Sequence, residues 1–260
     1  MRPAATTRAA GLALLVAALL PGAARAGNKA DAFEGKIQPI SGQLYQKAGR
    51  LELSPTFLLS FNDAFYQKYF GGLKVGWHFT EFLSVGGSFA MGAASASGSA
   101  VVCPPAQGCH PASEAQLWQA PGAIRMMAGA EVAWSPVYGK LNLAAEQVLH
   151  FDLAIMAGAD FITHDEVLSR DAAEALAAAG GSPATTSTVG GHVGLGFRIY
   201  LNRFLALRFD VKDYVYAVTV PNWIEGSGNQ PRTDIQNQLF LELGLSFFLP
   251  TSPRTIGGGT

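Results

Sequence analysis

A period of two runs through most of this chain and limits what it can fold into. In the last such segment Leu239, Leu241, Leu243, Leu245, Phe247 and Leu249 share one face, while Phe240, Glu242, Gly244, Ser246 and Phe248 share the other. Successive side chains of an extended strand point to opposite faces, so the pattern predicts a strand with one wholly apolar side. Seven earlier segments alternate in the same way, beginning at Leu51, Tyr69, Leu83, Ile124, Phe151, Val189 and Leu205. Hydrophobic residues make up 49% of the 260-residue chain and charged ones 14%. Yet no apolar run in residues 27–260 reaches the length of about 18 residues that a membrane-spanning helix needs.

An apolar chain without helical spans can satisfy its backbone in a bilayer only as a closed sheet. The expected fold is therefore all-β, an eight-stranded antiparallel transmembrane β-barrel over residues 50–249. Strands of about 10–13 residues suffice for a tilted crossing, and an even count puts both termini on the periplasmic side. The apolar face then meets lipid, and aromatic residues such as Phe61, Tyr69, Trp77, Phe79, Phe82, Trp134 and Phe161 collect near strand ends as an interfacial girdle.

On the opposite face stand Glu52, Lys74, His78, Arg125, Glu131, Asp152, Asp160, Arg198, Arg208, Asp210, Lys212 and Glu242. Five are Lys or Arg and six are Asp or Glu, so the signs nearly balance. Eight strands enclose a space that side chains can just fill. Charges enclosed there must pair, which predicts a packed ionic network and a monomer that does not conduct.

Connections sort by length. Phe79–Phe82 and Leu201–Phe204 are tight turns on the periplasmic side. A third connection, Ser135 to about His150, is longer and is expected to hold a short amphipathic helix over Leu141–Leu149. The outer loops are expected at about 62–68, 94–122, 163–188 and 218–236. In the third of these, Glu166–Ala179 reads as a helix stopped by Gly180-Gly181.

Residues 1–26 read as a secretory signal. Arg2 and Arg8 supply the basic start, Ala9–Leu20 the apolar stretch, and Ala24-Arg25-Ala26 the cleavage site. Residues 27–49 follow as a periplasmic arm or partial plug, and residues 250–260 form a C-terminal tail. Eighteen basic residues less the three arginines of the signal leave 15 against 19 acidic, a net −4. No basic field invites nucleic acid. In an exported chain the two cysteines, Cys103 and Cys109, read as a disulfide. A metal site would have to borrow His110, and no second ligand cluster accompanies it.

The motif Glu242-x-Gly244-x-x-Phe247-x-Leu249 resembles the signal that barrel-insertion machinery reads on last strands. Candidate nucleophile–base neighbours are sparse: His164 beside Asp165 and His110 near Ser113, both in expected outer loops. No glycine loop able to cradle phosphate is present. The residues give no cofactor and no catalytic set.

Three stretches carry a resemblance: Leu51–Met91, the run SPVYGKLNLAAEQVLHFDLAIMAGADF from Ser135, and GLGFRIYLNRFLALRFDVKDYVY from Gly194. Together they cover most of residues 27–260. They are similar to the outer-membrane β-barrel domain family of myxobacteria and related deltaproteobacteria. That resemblance implies an outer-membrane barrel of a Gram-negative bacterium without known catalytic residues. Some members are similar to barrel components of the gliding-motility machinery, which anchor a trans-envelope complex. The expected function is therefore a non-enzymatic anchor or scaffold of an envelope complex, surrounded by outer-membrane lipid and bound to periplasmic or outer-membrane partners. The alternatives are a small pore or ligand-binding barrel and, third, a lipid-modifying outer-membrane enzyme.

Overall fold

The computed structural model describes residues 45–103, 108–143, 147–221 and 231–251. The expected signal peptide, residues 27–44 of the arm and residues 252–260 of the tail lie outside them. Eight long strands alternate in direction: β1 (Leu51–Ser60), β2 (Tyr66–His78), β3 (Leu83–Ala96), β6 (Ile124–Leu143), β7 (Gln147–Asp165), β8 (Thr185–Tyr200), β9 (Leu205–Val220) and β10 (Arg232–Leu249). Two short strands, β4 (Val101–Val102) and β5 (His110–Pro111), pair with each other, and two helices, α1 (Glu114–Leu117) and α2 (Arg170–Ala178), lie in the connections.

Each long strand pairs antiparallel with both neighbours, and β1 pairs with β10, so the ring closes. One row of paired residues runs Leu51, Trp77, Val85, Val132, Ala157, Val193, Asp213, Leu239. The row returns to β1 at Phe61, whose backbone N–H donates to Leu239. It therefore starts at residue 51 and ends at residue 61, a shear of ten residues. Rows climb along the barrel as they pass round it, and the strands are tilted accordingly.

The polarity is inverted relative to a soluble barrel. Outward side chains are apolar and exposed, among them Phe57, Leu73, Val75, Phe89, Val132, Ile155, Leu195 and Leu245. Inward ones include Lys74, Glu131, Asp152, Arg198, Arg208, Asp210, Lys212 and Glu242, all buried. At the end with the tight connections, here the turn end, Trp77, Phe79, Phe82 and Trp134 are exposed. At the other, the loop end, Phe61, Phe65, Tyr69 and Phe161 are exposed.

Strands run further toward the loop end than the sequence suggests. The connections shrink from the expected 62–68, 94–122, 163–188 and 218–236 to 61–65, 97–123, 166–184 and 221–231. Ser, Thr and Ala outside the membrane still pair well but carry no apolar alternation to reveal it. Helix α2 is shorter than expected, starting after its N-cap Ser169, whose side chain accepts from Ala172 N–H. Gly180 then adopts a positive φ of 66°, the left-handed stop that glycine allows.

The expected helix over Leu141–Leu149 does not form. Here β6 and β7 continue as a two-stranded ribbon, pairing Val137 with Leu153 through Leu143 with Gln147. A bulge between Trp134 and Val137 redirects β6 where it leaves β3. Spaced leucines fit a helix and the outward face of a ribbon equally, and the partner strand decides.

Candidate functional site: a filled lumen

Because shear and strand number set the bore, the inward positions of all eight strands converge on one axis. From the turn end, Lys47 of the arm reaches in and bonds Asp152 at 2.6 Å. Asp152 also accepts from Tyr200 Oη at 2.6 Å and Arg198 Nη1 at 3.4 Å. Arg198 Nη2 lies 3.3 Å from Glu52, whose carboxylate further receives Ser246 Oγ at 2.6 Å and pairs with His78 Nε2 at 2.7 Å.

Arg208 is the next bridge, reaching Glu52 at 3.1 Å, Glu131 at 3.2 Å and Asp210 at 2.6 Å. Lys74 ties Asp210, at 3.0 Å, to Glu242. Lys212 ties Glu131 to Glu242, the latter at 3.7 Å, and Tyr214 Oη donates to Glu242 at 2.9 Å. His192 Nδ1 bonds Asp160, and its Nε2 lies 3.4 Å from Glu131. A void of about 10 Å³ between Glu52, Lys74, Glu131, Arg198 and Arg208 is room for about one water.

Above this network the filling changes. Leu58, Phe70, Ile124, Met127, Ile162, Tyr216, Val218 and Phe240 form a buried apolar cluster. Phe240 meets Phe70 edge-on at 5.8 Å and Tyr214 at 5.6 Å. Near the loop end a smaller polar set returns, with Lys68 bonded to Asp63 and Gln238.

The structure brings together every expected lumen charge except one. Arg125 points to the rim, where its side chain is 41% exposed and bonds Asp165 through Nε and Nη2 at 2.8 and 2.6 Å. A bulge between Ile124 and Met126 adds one residue to β6. It turns Ile124 inward and Arg125 away from the network, because a single extra residue swaps faces.

Two contributors carried no alternation signal. Lys47 lies in the non-repeating arm, and Lys68 lies in a stretch that reads as loop. The arm also seals the turn end: Tyr45 stacks on Tyr200 at 5.3 Å, and the Lys47 and Ala48 N–H groups donate to Glu81 at 2.8 and 3.1 Å. Arg50 donates to the carbonyls of Gln46, Arg203, Phe248 and Pro250.

On β10, Glu242 and Gly244 face the lumen side, while Leu249 is exposed on the outside. Gly244 is required by space, since a Cβ there would come within 2.8 Å of Thr56 and 3.0 Å of the Pro55 carbonyl. Cys103 and Cys109 form a disulfide in the loop-end connection. His164 is buried at the end of β7, against the Tyr216 ring and with Nδ1 at the Asp165 carbonyl. His110 Nδ1 contacts the Pro111 carbonyl, while Ser113 caps α1 through Gln116.

A closed ring leaves no unpaired backbone edge, and its exposed side is grease over a span bounded by two aromatic girdles. Only hydrocarbon solvates that surface well. The chain is a transmembrane β-barrel. No family model and no curated protein matches the chain. Among solved structures, it is similar to the N-terminal β-barrel domain of Pseudomonas aeruginosa OprF, with TM-score 0.45 and 10% identity, over 78% of this chain and 100% of that one. The outer membrane protein OprG of the same organism matches with TM-score 0.39 and 12% identity, covering 79% and 98%. Neisserial surface protein A gives 0.36 and 9%, covering 76% and 94%.

Proposed function

We propose that this barrel is a non-enzymatic anchor in the outer membrane of a Gram-negative cell, holding an envelope complex in place. The filled lumen carries the reading: a cylinder packed with paired charge and stoppered by Phe70 and Phe240 offers attachment rather than passage. Both ends offer contact surface. The turn end has the β6–β7 ribbon and the arm; the loop end has α1, α2 and the disulfide-closed connection.

In this reading residues 1–26 direct export, insertion machinery recognises Glu242, Gly244, Phe247 and Leu249, and the turn end faces the periplasm. The resemblance to the myxobacterial barrel family points to gliding motility as the process served. Deleting the gene, and separately purifying the barrel from cross-linked outer membranes, tests this. Loss of gliding with co-purification of periplasmic or motor components is expected. Normal gliding with no defined partner would refute the scaffold.

A second reading, a ligand-binding barrel, draws on an open cavity of about 410 Å³ at the loop end, lined by His164, Glu166, Thr186 and Thr219. Solute binding abolished by Thr186→Leu and Thr219→Leu would favour it.

A further inference from the structure

Among the described residues, the lipid-facing wall contains one carboxylate that neither the lumen network nor the scaffold reading uses. On β9 the outward run is Leu207, Phe209, Val211, Asp213, Val215. Asp213 sits between Val211 and Val215 along the strand and opposite Val193 and Leu239 across it. Its row lies four residues nearer the turn end than the row of Phe89, Ala128, Phe161 and Val189, and it climbs on through Leu239 to Phe61 of the loop-end girdle. That places it inside the apolar band, just below the loop-end girdle. Oδ2 takes a single long bond, 3.4 Å, from Asn237 Nδ2, and Oδ1 is covered without a hydrogen-bond partner. Ionised, the group can accept about four bonds. A charge on the lipid face is costly and is retained where something answers it.

The wall beside it is shaped. Gly87, Ala130, Ala159 and Gly191 are paired in one row across four strands, all on the outward face. They leave a trough between the row of Phe89, Phe161 and Val189, broken at Ala128, and that of Val85, Val132 and Val193, broken at Ala157. Rows climb from β2 toward β10, so the trough is highest at Gly191, diagonal to Asp213, and deepest at Gly87.

We propose that this is a lipid site, with Asp213 taking the headgroup and the trough taking an acyl chain. The acceptor stands at interface depth, and the trough descends from it into the hydrocarbon as an acyl chain does. Charge complementarity selects the headgroup. A primary ammonium, as in phosphatidylethanolamine, supplies a cation with three donors. Choline supplies a cation with no N–H, and phosphatidylglycerol is an anion.

The test is native mass spectrometry of the full chain purified from membranes, with phosphatidylethanolamine, phosphatidylcholine and phosphatidylglycerol offered in equal amounts. Preferential retention of one phosphatidylethanolamine is expected. Asp213→Asn should lower that preference about tenfold, the loss of one charge-assisted hydrogen bond. Ala159→Leu should fill the trough and lower retention of all three lipids while keeping their order. Heat-modifiable gel mobility confirms that each variant is folded. An unchanged preference in Asp213→Asn, or equal retention of phosphatidylglycerol by the wild type, would overturn the headgroup assignment. Unchanged retention in Ala159→Leu would overturn the trough.

Discussion

Between the turn end and Tyr214 the lumen is filled by carboxylates, guanidinium groups and ammonium groups, most of them answering more than one other; between Phe70 and the tip of β9 it is filled mainly by aromatic and aliphatic side chains. Both fillings close the bore, but they fail differently. Removing one member of a buried ionic set leaves its partners charged and unsolvated. Removing an apolar side chain leaves a cavity that neighbours partly fill. The ionic part therefore fixes which residues stand where, and the apolar part keeps water from running through.

That contrast orders the consequences of substitution. Arg208→Met strips one partner from each of Glu52, Glu131 and Asp210 and should cost about 5 kcal/mol, the upper end for a broken buried ion pair, read from urea unfolding in lipid vesicles. Phe240→Ala should cost about 3 kcal/mol, the lower end for such a truncation, because Phe70 and Tyr214 can lean into the space. A larger loss for Phe240→Ala than for Arg208→Met would reverse the contrast. Lys47→Met should cost about 1–3 kcal/mol, the price of one charged hydrogen bond, since Asp152 keeps Arg198 and Tyr200. It should also expose residues 45–50 to protease while the barrel stays intact. The double change Cys103→Ser with Cys109→Ser lies outside both fillings. It should move barrel stability by less than about 0.5 kcal/mol, as for changes away from packed features, with susceptibility of the loop to protease as its visible effect.

The same contrast explains which parts of the lumen are legible in the sequence. Alternation names the inward face, so Glu52, Lys74, Asp152, Arg198, Arg208, Asp210, Lys212 and Glu242 were all legible as lumen residues. Which carboxylate meets which cation was not, because shear and register arise from long-range pairing. Arg125 reads as inward in the sequence because a bulge adds one residue and leaves no compositional mark. The ribbon formed by Leu141–Leu143 and Gln147–Leu149 reads as a helix because a leucine spacing is shared by helix and strand. Lys47 was missed because the arm has no repeat to break. Asp213 did leave a signal, the lone acid in an otherwise apolar outward run, and only the wall around it gives that signal meaning.

Whether the bore is closed can be measured in a planar lipid bilayer with the purified full-length chain across a range of voltages. Network and stopper together should give a flat current trace at every voltage, with Phe240→Ala still silent because the ionic part remains. Reproducible, long-lived openings of the unaltered protein would mean that ions find a way past Arg208 and Phe240, and the lumen described here would not be the one that exists in the membrane.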